Sequence, residues 1–169
     1  MIFQQESGPE TDPTNYGPLR KEPPSFVIIH GTGLPADATS DGELSYLLRP
    51  NLRVSYHFYI RKDGRVRQLV PLENVGWHAG KSTWTEGDKT WDGLNAYSIG
   101  IGLESHNQSD EQYPLEQVQA CVALTNLLMA IYSIPKTRVL THRMISAPRK
   151  IDPVGWDHAD FIEMLTDPT

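Results

Sequence analysis

A short apolar run near the start of the chain constrains the fold most strongly. Residues 26–29 read Phe-Val-Ile-Ile, one residue after the proline pair 23–24, and His30 follows them. Prolines stop regular structure, whereas an uninterrupted run of β-branched and aromatic residues is typical of a strand buried on both faces. The run therefore predicts a central strand of a covered sheet, with His30 at its carboxyl end.

The rest of the chain alternates strand-like and helix-like segments. The Asp63-Gly64 pair between two alternating runs predicts a β-hairpin. Residues 114–132 show apolar residues at helical spacing and predict the longest helix. Residues 73–95 show no sustained period and predict a long surface loop. The remaining predictions are helices at 41–49 and 161–165, and strands at 55–61, 66–70, 98–104 and 137–141.

This order of elements predicts the α/β class: a single domain with a mixed central β-sheet flanked by helices. The length of 169 residues fits one hydrophobic core. Residues 1–24 are polar and rich in proline, glycine and acids, so we expect an irregular N-terminal arm there. Residues 25–169 are expected to form the globular domain.

Charge and composition exclude several classes of protein. The formal net charge of −6, without a basic stripe, argues against a nucleic-acid partner, because phosphate neutralisation needs clustered Lys and Arg. Cys121 is the single cysteine, so no intramolecular disulfide can form. The N-terminus has no basic and apolar signal pattern, and no segment approaches the roughly 20 apolar residues of a membrane span. We therefore expect a cytoplasmic protein with no membrane partner; its oligomeric state is not predicted.

Two of the six histidines stand apart because each follows an apolar strand pattern. His30 and His142 are placed at strand ends, where sites of open α/β sheets tend to collect, and Asp152 follows ten residues after His142. Two imidazoles and one carboxylate form a ligand set that suits a catalytic zinc ion. An isolated histidine is more often structural or solvated, and the spacing alone leaves both interpretations open.

Several ordered motifs resemble those of one family, the zinc-dependent N-acetylmuramoyl-L-alanine amidases of type 2. The resemblance covers roughly residues 26–157, and its separate parts are jointly specific. The matching motifs are Val27-Ile28-Ile29-His30, residues 53–58, Asp63-Gly64, residues 68–71, Trp77-His78-Ala79-Gly80, Asn95, Ser98-Ile99-Gly100-Ile101, Thr141-His142 and residues 147–153. The family hydrolyses the amide bond between the lactyl group of N-acetylmuramic acid and L-alanine in peptidoglycan.

The resemblance implies a role for each matched residue. His30, His142 and Asp152 become the ligands of Zn2+, and Lys150 the cation that steadies the tetrahedral oxyanion. Tyr56 occupies a position that bears an assisting tyrosine in some relatives, and it could equally be a packing residue.

Trp77, His78 and Asn95 are expected to bind the sugar or the stem peptide of the substrate. A loop-anchoring pair is the alternative for Trp77 and His78. Beside Tyr56 in the hairpin motif, we expect a structural or supporting role for His57. His106 and His158 lie in no motif and are expected to be exposed to solvent.

One position departs from the family pattern. Many relatives have a glutamate, taken as the general base, where this chain has Gly102. Glu104 lies on the same face of the predicted strand, about 6 to 7 Å further along, which is far for a base. Either Glu104 reaches the reacting water, or Tyr56 and Lys150 suffice, or activity is weak.

Two functions from different classes follow. The first is an amidase acting on peptidoglycan or anhydro-muropeptides, either as a cytoplasmic recycling enzyme or as a phage endolysin. The second is a peptidoglycan-recognition module that is catalytically weak or inactive. The three ligands and Lys150 favour the enzyme, and Gly102 favours the module. A serine hydrolase is excluded because no Gly-x-Ser-x-Gly motif is present.

Overall fold

The computed structural model describes residues 3–35 and 37–167 of the chain. Residues 1, 2, 36, 168 and 169 fall within the predicted arm and domain but lie outside the described residues. The fold is α/β, as predicted, with a six-stranded mixed sheet in the order β1-β5-β4-β9-β3-β10. The strands are β1 (Gln5–Glu6), β2 (Tyr16–Leu19), β3 (Phe26–Gly31), β4 (Phe58–Ile60), β5 (Val66–Gln68), β6 (Asn74–Gly76), β7 (Thr83–Glu86), β8 (Lys89–Asp92), β9 (Ser98–Leu103) and β10 (Val139–Thr141).

Within the described residues, four α-helices accompany the sheet: α1 (Ser40–Leu47), α2 (Leu115–Tyr132), α3 (His142–Ser146) and α4 (His158–Met164). The predicted hairpin is confirmed, because β4 and β5 pair antiparallel. β3 is an interior strand, next to the edge strand β10; it lies parallel to both β9 and β10, and all six of its residues are buried. The predicted buried strand is therefore confirmed as well.

The N-terminal segment is more regular than its composition suggested. β1 pairs parallel with β5 at the sheet edge, and β2 pairs antiparallel with β6. The Glu6 carboxylate also accepts hydrogen bonds from the buried Arg61 guanidinium at 3.1 and 3.2 Å. Pairing at a sheet edge uses backbone groups that every residue has, so a polar composition does not reveal it. The prediction of an irregular arm is wrong for these two strands.

The predicted loop at residues 73–95 is also wrong in part, because it contains β6, β7 and β8. β7 and β8 form an antiparallel hairpin in which Trp84 and Trp91 face each other. Trp91 also meets Phe26 edge to face, with ring centroids 5.1 Å apart. These strands are held by aromatic packing against the sheet. Their short lengths gave no period to detect.

The two faces of the sheet have different coverings. On one face, Val27 and Ile29 of β3 and Ile99, Ile101 and Leu103 of β9 pack in the main core together with residues of α2 and α4. Side chains alternate between the faces of a strand, so His30, Gly100 and Gly102 lie on the opposite face. The second face is therefore where the predicted site residues gather.

Helix α2 is, by length and composition alone, apolar enough to cross a membrane, with a mean hydropathy of 1.2. The prediction that no segment spans a membrane is not contradicted by this helix, because a single helix of this kind is weak evidence of a span. Its inner residues Cys121, Leu124 and Leu128 are buried in the main core. The core helix of a globular domain can have the same length and apolar composition as a membrane-spanning helix.

Candidate metal centre and active site

Strand pairing brings the two candidate histidine ligands together. β3 and β10 run parallel with Thr141 opposite Ile29. His30 and His142 are the next residues, so they lie side by side at the carboxyl ends of two neighbouring strands. A backbone hydrogen bond of 2.9 Å from Arg143 N to Asp152 O returns the chain to these strand ends. The predicted triad is therefore assembled by three segments.

The three side chains form a compact buried cluster. Their potential ligand atoms all lie within 4.8 Å of one another. His30 Nδ1 lies 3.5 Å from a carboxylate oxygen of Asp152, and His142 Nδ1 lies 3.0 Å from the other. Among the described residues, no hydrogen-bond partner satisfies His30 Nδ1, although the atom is buried. A buried ring nitrogen without a partner fits a metal ligand.

The electrostatics of the cluster suit a metal site. Burial lowers the pKa of His30 to about 4, which keeps the ring neutral at neutral pH. Burial opposes ionisation of Asp152, but the hydrogen bond from His142 and the two neighbouring imidazoles outweigh it and hold the pKa of the carboxyl below its usual value. The cluster thus offers the neutral imidazole of His30 and the carboxylate of Asp152, the forms in which these groups bind metals.

The ring nitrogens that face away from Asp152 also have partners. His30 Nε2 lies 2.9 Å from His78 Nδ1, and His142 Nε2 lies 3.2 Å from the carbonyl oxygen of Ala79. A histidine that binds a metal through one ring nitrogen commonly donates a hydrogen bond from the other, and this bond fixes the orientation of the ring. The residues present therefore fit a zinc ion with three protein ligands.

A cleft of about 490 Å³ opens over the cluster. Among its lining residues are His142 and Asp152, together with Lys150, Tyr56 and Trp77. Lys150 is exposed and Trp77 half-buried. Lys150, Tyr56 and Trp77 therefore line the same cleft as two of the three candidate metal ligands.

Tyr56 lies against His30, with ring centroids 5.3 Å apart. Its ring also covers Gly102: a Cβ atom at that position would lie 2.8 Å from the Tyr56 ring. Burial raises the pKa of Tyr56 above its usual value, so the phenol keeps its proton. The space of the missing glutamate is thus filled by a protonated tyrosine.

Glu104 does not reach the cleft, so the structure contradicts its prediction as the base. Its carboxylate accepts hydrogen bonds from the Ser40 hydroxyl and, at 2.8 Å, from the Lys62 backbone N–H. Gln117 Nε2 donates to the Glu104 carbonyl at 3.1 Å. Period-2 spacing placed Glu104 on the correct face but could not show that these partners hold it.

Two predicted substrate-binding residues have a different setting. His78 borders the cleft but is only 6% exposed, and its ring lies against Gly100. Asn95 is not among the cleft-lining residues; its Oδ1 accepts hydrogen bonds from the N–H groups of His78 and Ala79 at 3.1 and 2.7 Å. The structure supports neither as a direct substrate contact.

The other histidines are partly or fully buried. His57 is fully buried, and its Nδ1 accepts a hydrogen bond from Gly100 N–H at 3.0 Å, which agrees with the expected structural role. His106 lies on the cleft rim 2.9 Å from the Glu111 carboxylate. Burial lowers the pKa of His158. Solvent exposure was therefore the wrong expectation for His106 and His158.

Sequence reasoning missed two features near the site. Glu43 of α1 is buried, and burial raises the pKa of its carboxyl to about 7. No sequence signal marks it, since α1 was predicted only as a short helix. The second feature is the row Ser98, Gly100 and Gly102 on one face of β9. Alternation of small with apolar residues along a predicted strand could have revealed that large groups pack there.

Comparisons with known proteins identify the family of the chain. Residues 20–155 match the N-acetylmuramoyl-L-alanine amidase family. The chain is 32% identical over 160 residues to the 1,6-anhydro-N-acetylmuramyl-L-alanine amidase AmpD of Citrobacter freundii, covering 86% of this chain and 82% of that protein.

Solved structures give the same result. A crystal structure of a selenomethionine AmpD derivative has a TM-score of 0.79 and 29% identity, covering 97% of this chain and 94% of the other. The amidase AmiD of E. coli, solved with anhydro-N-acetylmuramic acid-L-Ala-D-γ-Glu-L-Lys, has a TM-score of 0.73 and 28% identity, covering 85% and 58%. With its sequence match and its structural likeness in agreement, the chain belongs to the type-2 N-acetylmuramoyl-L-alanine amidase family.

Proposed function

We propose that this protein is a zinc enzyme that hydrolyses the amide bond between the lactyl group of N-acetylmuramic acid and L-alanine. The observation that supports this most directly is the buried cluster of His30, His142 and Asp152 beneath an open cleft. When bound there, zinc supplies Lewis-acid polarisation of the scissile carbonyl and activation of water. The relatives' names and the ligand of AmiD support the substrate class.

The chain's own residues would do the rest of the work. Lys150 presents a cation at the cleft beside the ligands, where it would oppose negative charge that develops on the carbonyl oxygen. Tyr56 keeps its proton and would donate a hydrogen bond to the same oxygen or to the leaving nitrogen. Trp77 would provide an aromatic wall for the sugar or the peptide.

The preferred substrate in this proposal is a soluble anhydro-muropeptide handled in the cytoplasm. AmpD is named for the 1,6-anhydro substrate, and AmiD was solved with an anhydro-muramyl peptide. An endolysin acting on intact peptidoglycan is the alternative within the enzyme class. A recognition module with weak or no turnover is the second candidate function, and Gly102, where many relatives have the base, favours it.

The test is an incubation of zinc-loaded protein with anhydro-muropeptide and, separately, with purified peptidoglycan. Mass spectrometry would detect released peptide that begins at L-alanine. The control is protein from which a chelator has removed the metal. Metal-dependent release with a preference for the soluble fragment is expected. Release from peptidoglycan alone would favour the endolysin, and binding without any release would favour the recognition module.

The variants Lys150→Ala and Tyr56→Phe test the proposed catalytic roles of the two residues separately. Both variants are expected to retain zinc, because neither residue is a ligand. Loss of one transition-state contact lowers kcat by about a hundredfold or more. A variant that retained full kcat would remove its residue from the proposed mechanism without affecting the zinc assignment.

A further inference from the structure

The segment Trp77-His78-Ala79-Gly80 resembles a substrate groove in sequence, but two of its residues face the ligands instead. His78 Nδ1 lies 2.9 Å from His30 Nε2, and the Ala79 carbonyl lies 3.2 Å from His142 Nε2. One short loop therefore contacts the outer nitrogen of both imidazoles in the cluster.

The hydrogen bonds that run from His30 through His78 and Ser98 to Leu94 form one series with consistent donor and acceptor directions. A metal needs the lone pair of His30 Nδ1, so the proton of a neutral His30 ring resides on Nε2. His78 Nδ1 must then accept, and the His78 proton resides on Nε2. That nitrogen lies 3.3 Å from the Ser98 hydroxyl, which donates at 2.6 Å to the carbonyl oxygen of Leu94. Each group in the series has one donor and one acceptor role.

The surroundings fix His78 in this place. Its ring lies over Gly100, where a Cβ atom would come within 2.4 Å of the ring, so a larger residue would displace it. The Asn95 side-chain oxygen accepts from both His78 N–H and Ala79 N–H. Arg149 Nη2 donates to the Ala79 carbonyl at 3.2 Å, which joins the loop to the ligand-bearing segment before Asp152.

We propose that His78 is a positioning residue that sets the tautomer and orientation of His30, and that Asn95 holds the loop in place to do so. This inference rests on the proposed zinc site. It assigns to His78 and Asn95 a role toward the metal in place of one toward the sugar or peptide. Outer partners of metal-bound histidines commonly contribute about ten- to a hundredfold in metal affinity.

The decisive measurement is zinc affinity, by competition with a chelating dye. His78→Leu removes the acceptor for His30 Nε2 and is expected to weaken zinc binding about ten- to a hundredfold. His78→Asn places an amide oxygen near the position of Nδ1 and is expected to restore most of the affinity. Asn95→Ala frees the loop and is expected to weaken binding less than His78→Leu. The matched control is His106→Asn, which replaces a histidine on the cleft rim that pairs with Glu111 and not with the three candidate ligands. Its zinc affinity is expected to be unchanged.

Two readouts separate positioning from a general structural role. The absorption spectrum of the cobalt-substituted protein should change in His78→Leu and return in His78→Asn, because it reports ligand geometry. Long-range nitrogen–proton NMR of the wild-type protein should show His78 protonated on Nε2. The opposite tautomer would overturn the series whether or not any variant folds, and circular dichroism identifies a variant that does not.

The outcomes distinguish this inference from the proposed function. If the wild-type protein binds no zinc, the zinc enzyme itself is overturned, and the tautomer measurement still decides the hydrogen-bond series. If the wild-type protein binds zinc and His78→Leu folds with the same affinity and cobalt spectrum, the positioning role is overturned alone. An unchanged zinc affinity together with a raised KM would return His78 to the substrate-binding residues.

Discussion

The two faces of strand β9 show how differently one strand can be used. Ile99, Ile101 and Leu103 enter the main core, where they are fully buried against apolar side chains. Ser98, Gly100 and Gly102 alternate with them on the other face of the strand, where they meet Leu94, His78 and Tyr56. Large side chains on the first face are matched by the near absence of side chains on the second.

The difference has a physical reason in the space each face must fill. The core face must reach the packing density of a protein interior with its own atoms. The site face instead leaves room for groups from other segments: the His78 ring over Gly100 and the Tyr56 ring over Gly102. Stability therefore resides mainly on one face of the strand and chemistry on the other.

The largest test of this division is to remove a metal ligand. Asp152→Ala deletes the carboxylate that both His30 and His142 approach, so zinc binding and hydrolysis should both be lost. We expect hydrolysis to fall by about a thousandfold or more. Zinc content by mass spectrometry and kcat measured with saturating zinc check this. A variant that still bound zinc and turned over would place the metal elsewhere.

Ile101→Ala tests the opposite face. The side chain is fully buried in the main core, so truncation should lower the free energy of unfolding by about 2–5 kcal/mol. Zinc affinity of the folded fraction should not change, because Ile101 contacts no site residue from its face. Denaturant unfolding of the chelated protein measures the first quantity and dye competition the second. A large loss of zinc affinity would mean that the two faces are not independent.

Gly102→Ala tests the site face at one position. The new Cβ atom would lie 2.8 Å from the Tyr56 ring and should displace the phenol. We expect kcat to fall about ten- to a hundredfold while zinc affinity is kept. Steady-state kinetics with anhydro-muropeptide checks this, with Tyr56→Phe as the reference. If Gly102→Ala had wild-type kcat, the position of Tyr56 would not matter for the reaction.

The smallest expected effect concerns Glu43, which packs on the site side of the sheet but outside the cleft. Burial raises its pKa to about 7, so the folded state holds a proton that the unfolded state releases at a lower pH. Stability of the wild type should therefore fall as pH rises from about 4.5 to 7, and stay level above that range.

Glu43→Gln should abolish this part of the pH dependence and stabilise the protein at pH 8 by about 1–2 kcal/mol. Thermal unfolding between pH 4.5 and 8, without metal, provides the comparison with the wild type. Equal slopes in both proteins would show that Glu43 is not the group that titrates.

Sequence reasoning succeeded where a signal was local. The Asp63-Gly64 hairpin, helix α2 and strand β3 follow from turn chemistry and periodicity, and each lies close to its predicted bounds. The ligand triad came from the resemblance to a family, and the structure brings its three members together. Strands β1 and β2 escaped prediction because edge pairing depends on backbone groups that are the same in every residue.

The roles of His78, Asn95 and Glu104 likewise could not be predicted from local sequence signals. A motif or a strand face identifies such residues as near the site but does not say which atom each side chain meets. Asn95 bonds backbone groups of the His78 loop, and Glu104 bonds Ser40 of α1, 64 residues away in the chain. These partners depend on how separate segments fold against one another.

The sequence by itself determined the α/β class, the family, and which residues can bind a metal, because these depend on residue type, local periodicity and ordered motifs. Only the tertiary structure decided that Tyr56 occupies the space over Gly102, that His78 meets His30, and that Glu104 is held away from the cleft. Such contacts join residues distant in sequence, and a distance of a few ångströms decides whether a side chain binds substrate, orients a ligand or supports a helix.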